Sequence, residues 1–284
     1  MSLQLCLIVY FRILLPLLSC YLISHVCTAQ DFFGDKKETH FDLLEAAVSL
    51  IDDKNLYITD GYDGFPSFGF RLGSEVKQPY RMYLPEKLPA EFTIVASFKP
   101  LSVRTSYLFA VLNPFETVVQ LGIRISDGPS SNQNISLVYT NSDMHSFSDE
   151  VAKFTVPKLA KRWSKIVIRV TTTEVILYMN CNELSRQRVT RIPPELVFDT
   201  ASTLYIAQAG PHIQEKYDGL LQTLKLHAGY PLDLVKCNND FDFLSEESSG
   251  DHDLISGSGE IDLDDVPVSY TIIPLVDLTF VRRC

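Results

Sequence analysis

Catalytic signatures are absent from this 284-residue chain. There is no His-Glu-x-x-His, no P-loop, no nucleophile elbow and no paired His/Cys metal spacing, which removes the usual sequence routes to zinc-protease, nucleotide and serine-hydrolase chemistry. The six histidines (His25, His40, His145, His212, His227, His252) are scattered. Strand candidates rarely carry two acids at alternate positions. Asp149 and Glu150 are adjacent, so they point to opposite faces of a strand and do not make a glycosidase pair. No repeat of fixed period and no Gly-X-Y tract occurs. Lysine and arginine are missing from residues 238–265, which hold Asp240, Asp242, Glu246, Glu247, Asp251, Asp253, Glu260, Asp262, Asp264 and Asp265. Those ten acids equal the whole formal net charge of −10. The rest of the chain is neutral, and nucleic acid is not an expected partner.

The chain opens on an apolar run, "LCLIVYFRILLPLLSCYLISHVCTA", whose one charge is Arg12. Small residues follow at Cys27, Thr28 and Ala29. The run predicts a signal peptide over 1–29, cut after Ala29. An uncleaved anchor would be long enough to span a bilayer, but the basic cytosolic flank is missing. Cys6, Cys20 and Cys27 leave with the signal, so the secreted chain keeps Cys181, Cys237 and Cys284. In an oxidising compartment three cysteines imply one bridge and one left over. Cys181 and Cys237 flank one sheet-rich region and are paired here; Cys284 cannot be placed by spacing. Residues 30–237 are enough for one domain that buries roughly 70–75% of its unfolded-chain surface.

A short helix is expected in "HFDLLEAAVSLI", where Phe41, Leu44, Ala47 and Val48 fall on one helical face. Beyond it the period changes to two. Phe92, Ile94, Ala96 and Phe98 alternate with Thr93, Val95, Ser97 and Lys99, and Ile166, Ile168 and Val170 with Lys165, Val167 and Arg169. Further short runs rich in Val, Ile, Tyr and Phe are separated by turn clusters such as "SDGPSSNQN" and "RIPPE". Many short strands without strand–helix alternation predict an all-β antiparallel sandwich. Residues 238–284 read as a tail, its acidic part too poor in apolar surface to order. Its last stretch, "VPVSYTIIPLVDLTFVRRC", is apolar again but carries prolines and charges unsuited to a membrane span.

The segments "FDLLEAA", "GFRLGSE", "PEKLPAEFTIVASFKP", "RWSKIVIRVTTTEVILYMNCNEL" and "LYIAQAGPHIQEKYDGLLQTLKLHAG", with the closing Cys237, resemble the thrombospondin N-terminal-like domain. It is a laminin-G, lectin-like jelly-roll sandwich, in the form found in the multiplexin (type XV/XVIII) collagens. The resemblance covers roughly 38–237. It implies a Cys181–Cys237 disulfide, a secreted extracellular-matrix module, and heparan sulphate or other glycosaminoglycans and matrix or cell-surface proteins as partners. Multiplexins continue into interrupted Gly-X-Y segments; a trimer is expected only if a longer form of this chain has them. A secreted lectin or carbohydrate-active enzyme on the same fold is the alternative, since fold alone does not decide function.

The candidate sites follow. Residues 152–191 hold nine cations against Glu174 and Glu183. Lys158, Lys161, Arg162, Lys165, Arg169, Arg186, Arg188 and Arg191 are the candidate heparin contacts, with Lys153 nearby. Lysine and arginine also guard sheet edges against pairing, which is the bland use of such a cluster. Asn134-Ile135-Ser136 is an N-glycosylation sequon, expected at an exposed loop edge if its strand begins at Ile135. Ser249, Ser256 and Ser258, each before glycine and beside acid, are candidate glycosaminoglycan acceptors; plain acidic linkers carry the same pairs. No cofactor is expected. Asp60 and Asp63 are the two candidate calcium ligands, short of a full calcium loop, and Asp-Gly pairs more commonly make turns.

Overall fold

Strict two-residue alternation of large apolar side chains needs two sheets to bury it, and two antiparallel sheets form. The computed structural model describes residues 40–50 and 54–235, all within one unit of the chain, Met1–Phe241. The signal-peptide run, Cys237, Cys284 and the three candidate acceptor serines lie outside the described residues. No helix among the described residues is long and apolar enough to cross a membrane.

In chain order the elements are β1 (His40–Asp42), α1 (Glu45–Val48), β2 (Leu56–Asp60), β3 (Pro66–Phe70), β4 (Val76–Pro79), β5 (Phe92–Pro100), β6 (Ser106–Leu112) and β7 (Val119–Asp127). There follow β8 (Gln133–Tyr139), β9 (Glu150–Val156), β10 (Ser164–Val170), β11 (Glu174–Met179), β12 (Asn182–Arg188), β13 (Thr203–Ile206), α2 (Gly210–Ile213) and β14 (Gly219–Ala228). The first sheet runs β12-β11-β10-β5-β14-β3-β2, with β1 also on β14; the second runs β4-β13-β6-β7-β8-β9. β5 pairs with β14 along its whole length. The other edge of β14 is divided between β3, at Gly219–Leu221, and β1, at Lys225–His227.

The core sits between the sheets. Phe92, Ile94, Ala96 and Phe98 of β5, with Ile166 and Ile168 of β10, face Leu121 and Ile123 of β7 and Ile135 and Leu137 of β8, all fully buried. The alternation read in β5 and β10 is therefore the inward face of the first sheet. The expected helix is cut down to a single turn. Phe41 belongs to β1 instead, because residues 40–42 satisfy their backbone on β14. Leu43, Leu44, Ala46 and Ala47 still bury, while Val48 is exposed.

One side of the sandwich is closed by a side chain. Gln187 on edge strand β12 donates from Nε2 to the Lys153 carbonyl (2.5 Å) and accepts from the Lys153 N–H (3.0 Å). It imitates a strand partner for edge strand β9 and ties the sheets together. At the tip of the β11–β12 hairpin, Asn180 and Cys181 both have positive φ (46° and 69°) between the paired Met179 and Asn182, as in a two-residue type I′ turn. Gly122 on β7 allows a close approach to β6, since a Cβ there would lie 2.8 Å from the Phe109 carbonyl oxygen.

Candidate functional site

The cations that are contiguous in sequence separate in space into three groups. Lys158, Lys161 and Arg162, on the β9–β10 connection, are exposed. The Lys161 N–H donates to the Pro100 carbonyl (2.6 Å), which pins this connection to the end of β5. Beside them Trp163 meets Tyr62 edge-on at 5.8 Å. The Tyr62 hydroxyl is pushed up to about 12 by burial, then by the charge of Asp63 and its hydrogen bond to it. None of the ion pairs among the described residues engages Lys158, Lys161 or Arg162.

The second group lies on the outer face of the first sheet. Lys165 and Arg169 share a face of β10, as expected, two positions either side of buried Val167. Cross-strand register sets Arg186, Ile176, Arg169, Thr93, His227 and His40 in one row. His227 and His40 stack at 5.6 Å. Part of this face is already covered. Gly229 and Tyr230, following β14, run back over it. The Thr93 hydroxyl donates to the Gly229 carbonyl (2.8 Å), the Arg169 guanidinium lies 3.8 Å from the Tyr230 ring centre, and Tyr178 shares a hydrogen bond with Tyr230. Burial lowers the Lys165 pKa. Arg186 is tied to Glu183 (2.7 Å) and approaches Glu174 (3.9 Å). Arg188, at the end of the same edge strand, is exposed and takes part in no ion pair among the described residues.

Arg191 is the third group, and it is not a surface cation. It is 4% exposed. Its guanidinium donates to the carbonyls of Ala90 (2.5 Å), Thr171 (2.8 Å) and Pro194 (2.9 Å), and lies over the rings of Tyr139 (4.8 Å) and Phe92 (5.7 Å). The expectation that it contacts a polyanion is overturned. The planar fork of five donors is used to tie the segment after β12 to the start of β5 and to the β10–β11 turn.

The sequon is likewise displaced from its expected setting. β8 begins at Gln133, so Asn134 lies within the strand and is 7% exposed. Its Nδ2 donates to the Asp127 carbonyl (2.8 Å) and its Oδ1 accepts from the Thr155 hydroxyl (3.0 Å). A glycan there would replace a hydrogen on a nitrogen enclosed by two strands. The protein made in animal cells should therefore carry no N-glycan: treatment with an amidase that removes N-glycans is expected to leave its intact mass unchanged. A loss of one glycan mass would show that β8 tolerates the modification.

Asp60 ends β2 and is exposed, while Asp63 works within the β2–β3 turn. The Asp63 carboxylate accepts from the Phe65 N–H (3.1 Å) and from Gln222 Nε2. Burial alone would raise the Asp63 pKa, but the bonds from Gln222 and Phe65 outweigh it and hold it below the ordinary value. This is the Asx-turn use of an Asp-Gly pair. No cluster of three or more His, Cys, Asp or Glu side chains among the described residues could hold a metal.

A charge network that sequence reasoning missed occupies the outer face of the second sheet. Arg124 on β7 donates through Nε (2.7 Å) and Nη2 (2.6 Å) to the two oxygens of Glu215, and through Nη1 to Glu150 on β9 (2.7 Å). The Ser136 hydroxyl also donates to Glu150 (3.1 Å). Burial raises the Glu150 pKa, yet the hydrogen bond and charge of Arg124 prevail and keep it low. Two carboxylates do converge here, but Glu150 stays ionised and both are bound to one guanidinium. That is unlike the raised-pKa acid a glycosidase needs. The sequence signal was a lone arginine at an outward position of apolar β7; its partners are far away along the chain.

Cys181 is disulfide-bonded, and as it is the one cysteine among the described residues its partner lies outside them. The chain is similar to a collagen. It is 26% identical over 201 residues to the collagen alpha-1(XVIII) chain of Homo sapiens, covering 71% of this chain and 11% of that one. The chain thus spans about a tenth of the curated relative it matches. No family model matches. Among solved structures, a mouse laminin alpha1 chain, domains LG4-5, superposes with a TM-score of 0.38 and 12% identity, over 56% of this chain and 40% of that one. A heptameric SAP-like pentraxin from Limulus polyphemus gives 0.39 and 16%, over 50% and 66%. The fold is an antiparallel β-sandwich, as its two sheets and their inward-facing core show.

Proposed function

We propose that this chain is a secreted, non-enzymatic binding module of the extracellular matrix, the sandwich part of a non-fibrillar collagen or proteoglycan, and that it binds heparan sulphate. The observation that carries the binding is the exposed trio Lys158, Lys161 and Arg162, held together on the connection tied to the end of β5 with no carboxylate taking their charge among the described residues. Arg188 adds to it from the edge of the same sheet, and Lys165 contributes from the partly covered face between them. A flexible sulphated chain is attracted by such a surface without a formed pocket. Similarity to a collagen over most of the sandwich supports the matrix setting. The same proposal assigns glycosaminoglycan attachment to Ser256 and Ser258, with Ser249 as a secondary acceptor, and pairs Cys181 with Cys237.

Both parts are tested on the full secreted chain made in animal cells. The wild type should run as a broad high-mass smear on a gel, and the Ser249→Ala/Ser256→Ala/Ser258→Ala chain as a sharp band. The serine variant, free of its own polyanion, should be retained on heparin and released by salt. Adding Lys158→Ala, Lys161→Ala and Arg162→Ala should lower the eluting salt. It should also reduce the slope of log affinity against log salt by roughly 2, at about 0.7–0.9 for each lost contact by analogy with other polyanions. Passage of the serine variant straight through at low salt would refute the heparan sulphate reading. A sharp wild-type band would refute the attachment.

A further inference from the structure

Beyond β13 the backbone takes an uncommon path: Ala207, Gly210 and Gln214 all have positive φ (60°, 73° and 55°). Only the glycine adopts this freely. Ala207 is held there by its surroundings, for its N–H donates to the Leu108 carbonyl and its own carbonyl accepts from the Tyr217 N–H, both at 2.8 Å, while Gln214 ends α2. This path forms one wall of an open cleft of about 500 Å³, within the roughly 300–1,000 Å³ typical of small-molecule sites.

The cleft brings together Glu75, Arg104, Thr105, Gln208, Gln214 and Lys216 from three separate parts of the chain. None of these belongs to the basic surface described above. Gln208 is 3% exposed, yet its amide Nε2 has no hydrogen-bond partner among the described residues. Buried amides in folded proteins are nearly always paired, so an unpaired one in a cleft wall marks a bond left to be made. Arg104 and Lys216 supply positive charge for an oxyanion. Thr105, Gln214 and Glu75 can donate to or accept from hydroxyls. Leu72 and Pro211 add apolar surface to the lining, suited to the C–H face of a sugar ring.

We propose that this cleft binds a single acidic sugar unit, a uronate, with the carboxylate between Arg104 and Lys216 and a ring oxygen or hydroxyl accepting from the Gln208 amide. The site is distinct from the surface assigned to long sulphated chains, and a monosaccharide probe separates the two. Saturation-transfer NMR and calorimetry on the full secreted chain, with Ser249, Ser256 and Ser258 changed to Ala, should detect binding of methyl glucuronide. Methyl glucoside, lacking the carboxylate, should bind at least ~10-fold more weakly, the scale of discrimination a charged hydrogen-bonded contact gives. Gln208→Met should weaken methyl glucuronide by about 10-fold without lowering the melting temperature, because removing an unpaired buried donor costs the fold nothing. Arg104→Ala with Lys216→Ala, at surface positions, should erase the preference for the acidic sugar. Lys158→Ala/Lys161→Ala/Arg162→Ala should leave methyl glucuronide binding unchanged. The proposal is overturned by the absence of transfer from methyl glucuronide, by unchanged affinity in the Gln208 variant, or by a fall in that variant's melting temperature, which would mark the amide as structural.

Discussion

Arg191→Met should lower the unfolding free energy by about 3 kcal/mol or more, the largest single-residue loss expected outside the hydrophobic core. The substitution keeps much of the aliphatic stem but removes the donors that serve the Ala90, Thr171 and Pro194 carbonyls. A hydrogen bond to a charged group contributes about 1.5–3 kcal/mol, and the donors lost here come from a guanidinium that is itself buried. The cation's contacts with the Tyr139 and Phe92 rings disappear as well, each worth roughly 0.5–2 kcal/mol. Arg191→Lys should rescue little, since one ammonium cannot reach carbonyls held by the start of β5, the β10–β11 turn and the loop after β12. On thermal unfolding the Met variant should melt lower by roughly 10 °C, at about 2–4 °C per kcal/mol for a domain of this size. Arg188→Ala, exposed on the neighbouring strand, should stay within about ±0.5 kcal/mol of wild type. Equal melting temperatures for wild type and Arg191→Met would show that the three bonds do not hold the loop.

Cys181→Ser should cost about 2–4 kcal/mol, chiefly by releasing a long loop in the unfolded chain. The described residues support the partner proposed. From β14 the chain returns over the outer face of the first sheet, past Thr93 of β5, Arg169 of β10 and Tyr178 of β11. That is the direction of the hairpin tip where Cys181 sits, and Val235, the last described residue, is two positions before Cys237. A non-reduced digest of the secreted protein should yield one peptide pair joining Cys181 to Cys237. Losing the bridge should also uncover Arg169, so Cys181→Ser, measured below its melting temperature, should elute from heparin at higher salt than its parent. A Cys181–Cys284 pair would overturn the pairing, and free thiols at both Cys181 and Cys237 would overturn the bridge.

The strands and their inward faces were legible because a half-buried strand writes its environment at a period of two. Phe92, Ile94, Ala96 and Phe98 could be assigned to the core from order alone, and they are fully buried. The shared face of Lys165 and Arg169 followed from the same spacing. Turn clusters of Pro, Asn, Asp, Ser and Gly between many short strands, without strand–helix alternation, were enough to point to an antiparallel sandwich. What failed were judgements of exposure at single polar residues. Arg188 and Arg191 look alike in sequence, but one ends an edge strand and the other enters the interior, because only the second meets the Ala90 and Thr171 carbonyls of distant segments, besides that of nearby Pro194. Asn134 looked like a loop residue until β7 and β9 were placed on either side of its strand. Arg124 could not be matched to Glu150 and Glu215, nor Gln208 to its cleft, since those partners meet only when strands far apart in the chain are stacked. Local periodicity determines which face a residue occupies; which charges find partners, and which polar groups stay buried or open, is decided by the non-local packing that brings the two sheets and their connections together.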